Sequence, residues 1–162
     1  METREHQIVS SSPEETLRIG TVLGQYLTSG SIIALNGELG SGKTCLTQGI
    51  ARGLKVPEGF YVTSPSYSII NEYPGRLALF HVDLYRVEDV NEIEQIGLNE
   101  IIGVDGVTVI EWADKITHIL PNERLDLSIS ILDDQTRNLH LRGYGHRAVT
   151  VIEKYLAEFG PA

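Results

Sequence analysis

Residues 37–44 read GELGSGKT and match the phosphate-binding loop pattern G-x-x-x-x-G-K-[ST] at every fixed position. Glycines permit the positive-φ turns that direct successive backbone N–H groups toward one anion. An apolar run, residues 32–35, precedes the loop, and a helix is expected to begin near Lys43. Because a helix N-terminus offers free N–H groups to phosphates, this context predicts a nucleoside triphosphate site.

Two further groups of this site follow from the pattern. Lys43 is expected to reach the β- and γ-phosphates, and the Thr44 hydroxyl to ligate Mg²⁺. Such sites also need an acidic residue at the end of a neighbouring strand. The run LALFHVD ends in Asp83 and the run VTVIE ends in Glu111. Since strand order cannot be read from these runs, both acids remain candidates.

The kind of nucleotide is constrained by motifs that the sequence lacks. No N-K-x-D segment is present to read guanine, so ATP is favoured over GTP. No arginine-rich lid of the small nucleotide kinases is found. Arg86 and Arg137 could approach phosphates, but each is interpreted as a surface arginine. Residues 64–68, SPSYS, are either a switch-like loop that senses the γ-phosphate or an ordinary polar loop.

Composition restricts the class of protein further. The 162 residues carry 13 Lys and Arg against 22 Asp and Glu, a net charge of −9. Nucleic-acid binding depends on cations that neutralise phosphates, so any action on RNA is expected to go through a partner. With Cys45 as the one cysteine, no intrachain disulfide is possible. Neither a secretory signal nor a membrane span is recognised, which predicts a cytoplasmic protein.

The elements that position these residues are expected to form a single domain over residues 1–162. The first is predicted to be a helix capped by Ser12, with Pro13 at its first position and Glu15 completing a capping box. Runs around residues 74–75 predict a hairpin, and Asp89 is expected to cap a helix through about Leu98. Two alternating runs then predict an antiparallel pair before a C-terminal helix. This order indicates an α/β fold, with a mixed sheet flanked by helices.

Five segments together carry a family resemblance. In order and spacing, GELGSGKT, TSPSYSIINEY, HVDLYR, IGLNEI and VIEWADK resemble the TsaE (YjeE) family over roughly residues 8–132. That family consists of small bacterial ATPases required to make threonylcarbamoyladenosine in tRNA. The resemblance implies a P-loop NTPase-like three-layer core with a mixed, mostly parallel sheet and C-terminal antiparallel strands.

The resemblance also implies roles for individual residues. Thr44 and Glu111 would ligate Mg²⁺, which decides between the two acids for that role. Asp83 would then be the other acid needed for hydrolysis, acting with Lys43. Ser12 stands where the family places adenine, and SPSYS corresponds to its switch-like region. The implied ATP-binding residues are Glu38, Leu39, Gly40, Ser41, Gly42, Lys43, Thr44 and Ser12.

The implied partners are TsaD, which transfers the threonylcarbamoyl group to tRNA, and TsaB, which pairs with TsaD. The chain would hydrolyse ATP to reset or drive that complex, contact tRNA only indirectly, and be a monomer when alone. Two alternatives remain open. One is a small P-loop kinase with an acceptor substrate, and the other is an interaction module in which nucleotide binding suffices without hydrolysis.

Overall fold

The computed structural model describes residues 1–65 and 69–159 of the chain. Its strands are β1 (Thr3–Ser10), β2 (Ile32–Gly37), β3 (Ile70–Tyr73), β4 (Leu79–Asp83), β5 (Val107–Glu111), β6 (Arg124–Ile131) and β7 (Arg137–Tyr144). Its helices are α1 (Pro13–Tyr26), α2 (Lys43–Gly53), α3 (Val90–Gln95), α4 (Leu98–Ile101), a 3₁₀ helix (Ala113–Ile119) and α5 (His146–Phe159). No helix within these described ranges is long and apolar enough to cross a membrane.

The strands form one seven-stranded sheet in the order β1-β7-β6-β2-β5-β4-β3. The central pairs β6–β2, β2–β5 and β5–β4 are parallel. The outer pairs β1–β7, β7–β6 and β4–β3 are antiparallel. The predicted mixed sheet and both predicted hairpins are therefore confirmed. The sheet was expected to be mostly parallel, but three of its six described strand pairs are parallel and three are antiparallel. The difference arises because β1 and β3 each add an antiparallel strand at an edge of the sheet.

Helices cover both faces of the sheet, which confirms the three-layer arrangement. On one face α1, α2 and α5 bury residues such as Leu23, Leu46 and Ile152 against the strands. On the other face α3, α4 and the 3₁₀ helix bury Ile93 and Leu98, among others. Removing this apolar surface from water is the dominant favourable term in folding. The packed layers hold the carboxyl ends of β2, β5 and β4 at one edge.

The prediction that a helix comes first is wrong, because β1 precedes it. Only Ile8 and Ser10 of this edge strand are buried, and most of the other side chains are polar, so the strand shows no alternation of apolar and polar residues. Helix α1 does begin at Pro13, and the hydroxyl oxygen of Ser12 accepts from the Glu15 N–H at 3.1 Å. The Glu15 carboxylate returns to the Ser11 N–H, one residue earlier than in a regular capping box.

The helix predicted through about Leu98 is two short helices. Asp89 caps the first of them, α3, by accepting from the Asn91 N–H at 3.0 Å. Gly97 then lies in the left-handed region, with φ +80°, and is the N-cap residue before α4. That conformation interrupts the helical backbone, so one continuous helix cannot pass through this position.

Candidate phosphate-binding site

The glycine loop joins the buried strand β2 directly to α2. Gly40 and Gly42 have φ of +80° and +110°, a region that favours glycine. A Cβ on Gly37 would lie 2.5 Å from the Ser41 hydroxyl oxygen and 2.9 Å from the carbonyl oxygen of Ile129. The loop therefore needs glycine at two positions for backbone conformation and at a third for close packing. The predicted strand–loop–helix context is confirmed.

Lys43 is almost fully enclosed at the start of α2, with 5 % of its surface exposed. Its ammonium donates to the carbonyl oxygens of Gly37, at 2.5 Å, and Glu38, at 3.0 Å. The same group lies 4.3 Å from the centre of the Trp112 ring. Burial lowers the pKa of Lys43, while the charges of nearby acids, Glu111 first, oppose this effect. The cation is held at the loop by acceptors that a phosphate could replace.

The two candidate acids both lie beside this lysine. Strand β5 pairs with β2 and carries Glu111, and β4 pairs with β5 so that Asp83 is directly opposite Glu111. Both acids line one open cleft of about 710 Å³ with Lys43 and Thr44. Burial raises the pKa of Asp83, and the charge of Glu111 adds to that effect. Sequence reasoning found both residues but not the strand order that brings them together.

Glu111 has a buried partner that sequence reasoning did not assign. The carboxylate is 2 % exposed and its Oε2 is hydrogen-bonded to Nε2 of His81, which is fully buried. His81 precedes Asp83 by two positions on β4. Because alternate residues of a strand share a face, this spacing was the available signal. His81 therefore fixes the orientation of the Glu111 side chain.

The oxygen atoms at the cleft fit a magnesium ion. Thr44 Oγ1 is 2.6 Å from the Ser64 hydroxyl oxygen and faces the same cleft as Asp83 and Glu111. Mg²⁺ prefers oxygen ligands and usually takes one or two carboxylates together with phosphate oxygens and waters. In the described part of the chain no three His, Cys, Asp or Glu side chains form a metal-binding group. The donor set thus suits a metal that arrives with a phosphate.

Two long cationic side chains hold the main chain around the cleft. Lys115 donates to the carbonyl oxygens of Leu84, Tyr85 and Val87 at 2.9, 2.7 and 3.1 Å. It thereby fixes the segment that follows Asp83. Arg137, interpreted from sequence as a surface arginine, is instead hydrogen-bonded to the glycine loop. No motif signalled either contact, because each joins segments that are distant in the chain.

The remaining predicted residues lie near the cleft or beyond the described ranges. The Ser12 hydroxyl caps α1 and is absent from the described residues that line the cleft. Its neighbour Pro13 contacts a residue of the cleft lining, since its carbonyl oxygen accepts from the Cys45 thiol at 3.3 Å. Of the SPSYS segment, Ser64 lines the cleft, whereas residues 66–68 lie outside the described residues.

A glycine loop between a central parallel strand and a helix, with acids on the next two strands, defines the P-loop class of α/β proteins. The model of one family, "Threonylcarbamoyl adenosine biosynthesis protein TsaE", matches residues 10–139. The chain belongs to the TsaE family, which confirms the resemblance recognised in its motifs. That family takes part in tRNA threonylcarbamoyladenosine biosynthesis. Membership of the family implies that a nucleotide is involved in the function of the chain.

Individual proteins show the same relationship. The chain is 39% identical to the TsaE protein of Treponema pallidum over 131 residues, covering 81% of this chain and 96% of the relative. It is also 39% identical to the TsaE protein of Bacillus subtilis over 144 residues, covering 88% and 89%. The crystal structure of Bacillus subtilis YdiB superposes with a TM-score of 0.81 and 32% identity, covering 98% of this chain and 99% of that one.

Proposed function

We propose that the chain binds MgATP in the cleft and hydrolyses it in support of the TsaB–TsaD pair, which forms threonylcarbamoyladenosine in tRNA. One observation carries the proposal. Asp83 and Glu111 lie side by side on adjacent parallel strands and share a cleft with Lys43 and Thr44. A bare glycine loop would bind an anion, whereas a second acid beside the proposed metal ligand can also orient the attacking water.

Each side chain has a distinct task in this proposal. The ammonium of Lys43 exchanges its carbonyl acceptors for phosphate oxygens, and Thr44 and Glu111 hold the metal. Bound Mg²⁺ supplies positive charge that neutralises the phosphates during transfer. Asp83, whose Oδ1 accepts from the Tyr85 N–H at 3.0 Å, orients the water that attacks the γ-phosphorus. A carboxylate with a raised pKa is also suited to accept a proton from that water.

Family membership and charge support the choice of partners. With 22 acidic against 13 basic residues, the net negative charge of the chain opposes direct binding to tRNA phosphates. Proteins that do bind tRNA are therefore the appropriate targets of its nucleotide cycle. We assign this role to TsaD, which transfers the group, together with TsaB, and tRNA contacts the chain only indirectly.

The test measures ATP hydrolysis by the purified chain with and without the TsaB–TsaD pair from the same source. We expect marked stimulation by the pair, and loss of that stimulation in Asp83→Asn while MgATP binding is retained. Asp105→Asn is the matched control, because Asp105 is exposed and distant from the lining of the cleft.

Three results would contradict the proposal. If an active TsaB–TsaD pair did not stimulate ATP hydrolysis, these two proteins would be excluded as partners of the chain. Transfer of phosphate to an added sugar or nucleoside would favour the kinase alternative. Full tRNA modification by Asp83→Asn would show that nucleotide binding without hydrolysis is sufficient, which is the interaction-module alternative.

A further inference from the structure

Arg137 begins β7 and reaches the glycine loop, 96 residues away in the sequence. Its Nε donates to the carbonyl oxygen of Ser41 at 3.0 Å, and its Nη2 lies 3.5 Å from the carbonyl oxygen of Gly40. Arg137 is absent from the described residues that line the cleft. In this structure the guanidinium therefore contacts the backbone of the loop.

These contacts determine which way a loop peptide faces. In a trans peptide the carbonyl oxygen and the next N–H point in opposite directions. When the Ser41 carbonyl oxygen is held by Arg137, the N–H of Gly42 is turned to the opposite side, and Gly42 itself lines the cleft. Glycine is conformationally permissive, so an external contact favours one orientation of a loop of this composition.

The arginine is itself held in place by the turn between β6 and β7. Its Nη1 donates to the carbonyl oxygens of Asp133, at 2.6 Å, and Thr136, at 3.0 Å. The Asp133 carboxylate in turn accepts from the N–H groups of Gln135 and Thr136 at 3.0 and 2.8 Å. The guanidinium thus bridges an ordered turn and the glycine loop.

We propose that Arg137 is a positioning residue of the nucleotide site, which orders the peptide groups of the glycine loop for phosphate binding. The inference rests on the proposed function in that the loop is taken to bind a nucleotide. Through Arg137, the hairpin formed by β6 and β7 would help to order the nucleotide site. The rigid, planar fork of the guanidinium presents its N–H donors in fixed directions, so one side chain reaches both the loop and the turn, whereas the donors of a lysine ammonium rotate on a flexible stem.

The test measures the affinity of the full chain for MgADP by calorimetry, below the unfolding temperature of every variant. We expect Arg137→Ala to weaken binding roughly 10- to 100-fold, the range for losing hydrogen bonds from a charged donor. Arg137→Lys should recover part of this loss. Added methylguanidinium should strengthen binding by Arg137→Ala and leave the wild type unchanged, which a merely structural role would not produce.

Arg142→Ala is the matched control on the same strand. Arg142 is also hydrogen-bonded, to Glu5 of β1, but it makes no contact with the loop. Its loss should leave MgADP affinity unchanged. Hydrogen exchange of the free chain gives a second measurement, and Arg137→Ala should accelerate exchange in residues 38–44 and in the turn of residues 133–136, but not along the rest of β6 and β7.

Each contrary result has a separate meaning. Wild-type affinity in Arg137→Ala would overturn this inference and leave the proposed function standing. Weakened binding without methylguanidinium rescue, with faster exchange throughout β6 and β7, would also overturn it by showing a purely structural role. If the wild type itself bound no MgADP, the proposed function would fail, and the inference would fail with it.

Discussion

Replacing Lys43 by methionine tests the central feature of the site. Methionine keeps an unbranched apolar side chain beside Trp112 and removes the ammonium. A hydrogen bond from a charged donor contributes about 1.5–3 kcal/mol. In the free chain, however, the ammonium already has two carbonyl acceptors, at Gly37 and Glu38, so nucleotide binding exchanges partners rather than adding them. We therefore expect the lower end of that range, about 1.5–2 kcal/mol, or a roughly 10- to 30-fold weaker Kd.

The measurement is calorimetric titration with MgADP at fixed ionic strength, because charge interactions are screened by salt. Lys154→Met provides the control, since Lys154 is an exposed lysine of α5. Its affinity should match that of the wild type. An affinity for MgADP in Lys43→Met that also matched the wild type would refute the assignment of the loop as the phosphate site.

Three further predictions concern the cleft. Burial raises the pKa of Asp83 in the folded chain, so the ionised carboxylate lowers the free energy of unfolding above that pKa. Below the pKa of aspartate in the unfolded chain, the group is protonated in both states and has no effect. Asp83→Asn should therefore raise Tm at about pH 8, and the gain should shrink as the pH falls toward 3.8, the ordinary aspartate value; lower Tm at every pH would contradict this. Glu111→Gln should raise the Mg²⁺ concentration needed for ATP binding more than it changes affinity at saturating Mg²⁺, and a wild-type metal titration would exclude a ligand role. Gly37→Ala should cost about 1–3 kcal/mol by overpacking, a fall in Tm of roughly 2–4 °C per kcal/mol, whereas Gly59→Ala, whose Cβ meets nothing within 4 Å, should have little effect.

Local patterns predicted much of the fold. The glycine loop, the strand before it and the helix after it were recognised because their signals lie within about twenty consecutive residues. The Ser12 cap and the two hairpins are likewise encoded by neighbouring residues. Strand β1 was missed because an edge strand exposes most of its side chains and so carries no apolar alternation.

Contacts between distant segments could not be predicted. The sequence showed that Asp83 and Glu111 end apolar runs, but only the order β2-β5-β4 places them opposite each other beside the loop. The bonds of Lys115 and Arg137 to backbone carbonyl oxygens are further cases. A carbonyl acceptor exists at every residue, so nothing in the sequence marks which one a distant cation will contact.

The starts of two helices differ in a way that bears on anion binding. Helix α1 has a serine cap, and Glu14 and Glu15 lie in its first turn. These two carboxylates already compensate the positive end of the helix dipole. Helix α2, which follows the N-cap residue Gly42, has no side-chain cap and no acid in its first turn, so its N-terminus is suited to an anion. Yet among the described residues that line the cleft, one cation, Lys43, faces two carboxylates. If the chain binds MgATP as proposed, the triphosphate would meet net negative charge in these side chains, so the divalent metal would serve to bring it into the cleft as well as to assist hydrolysis.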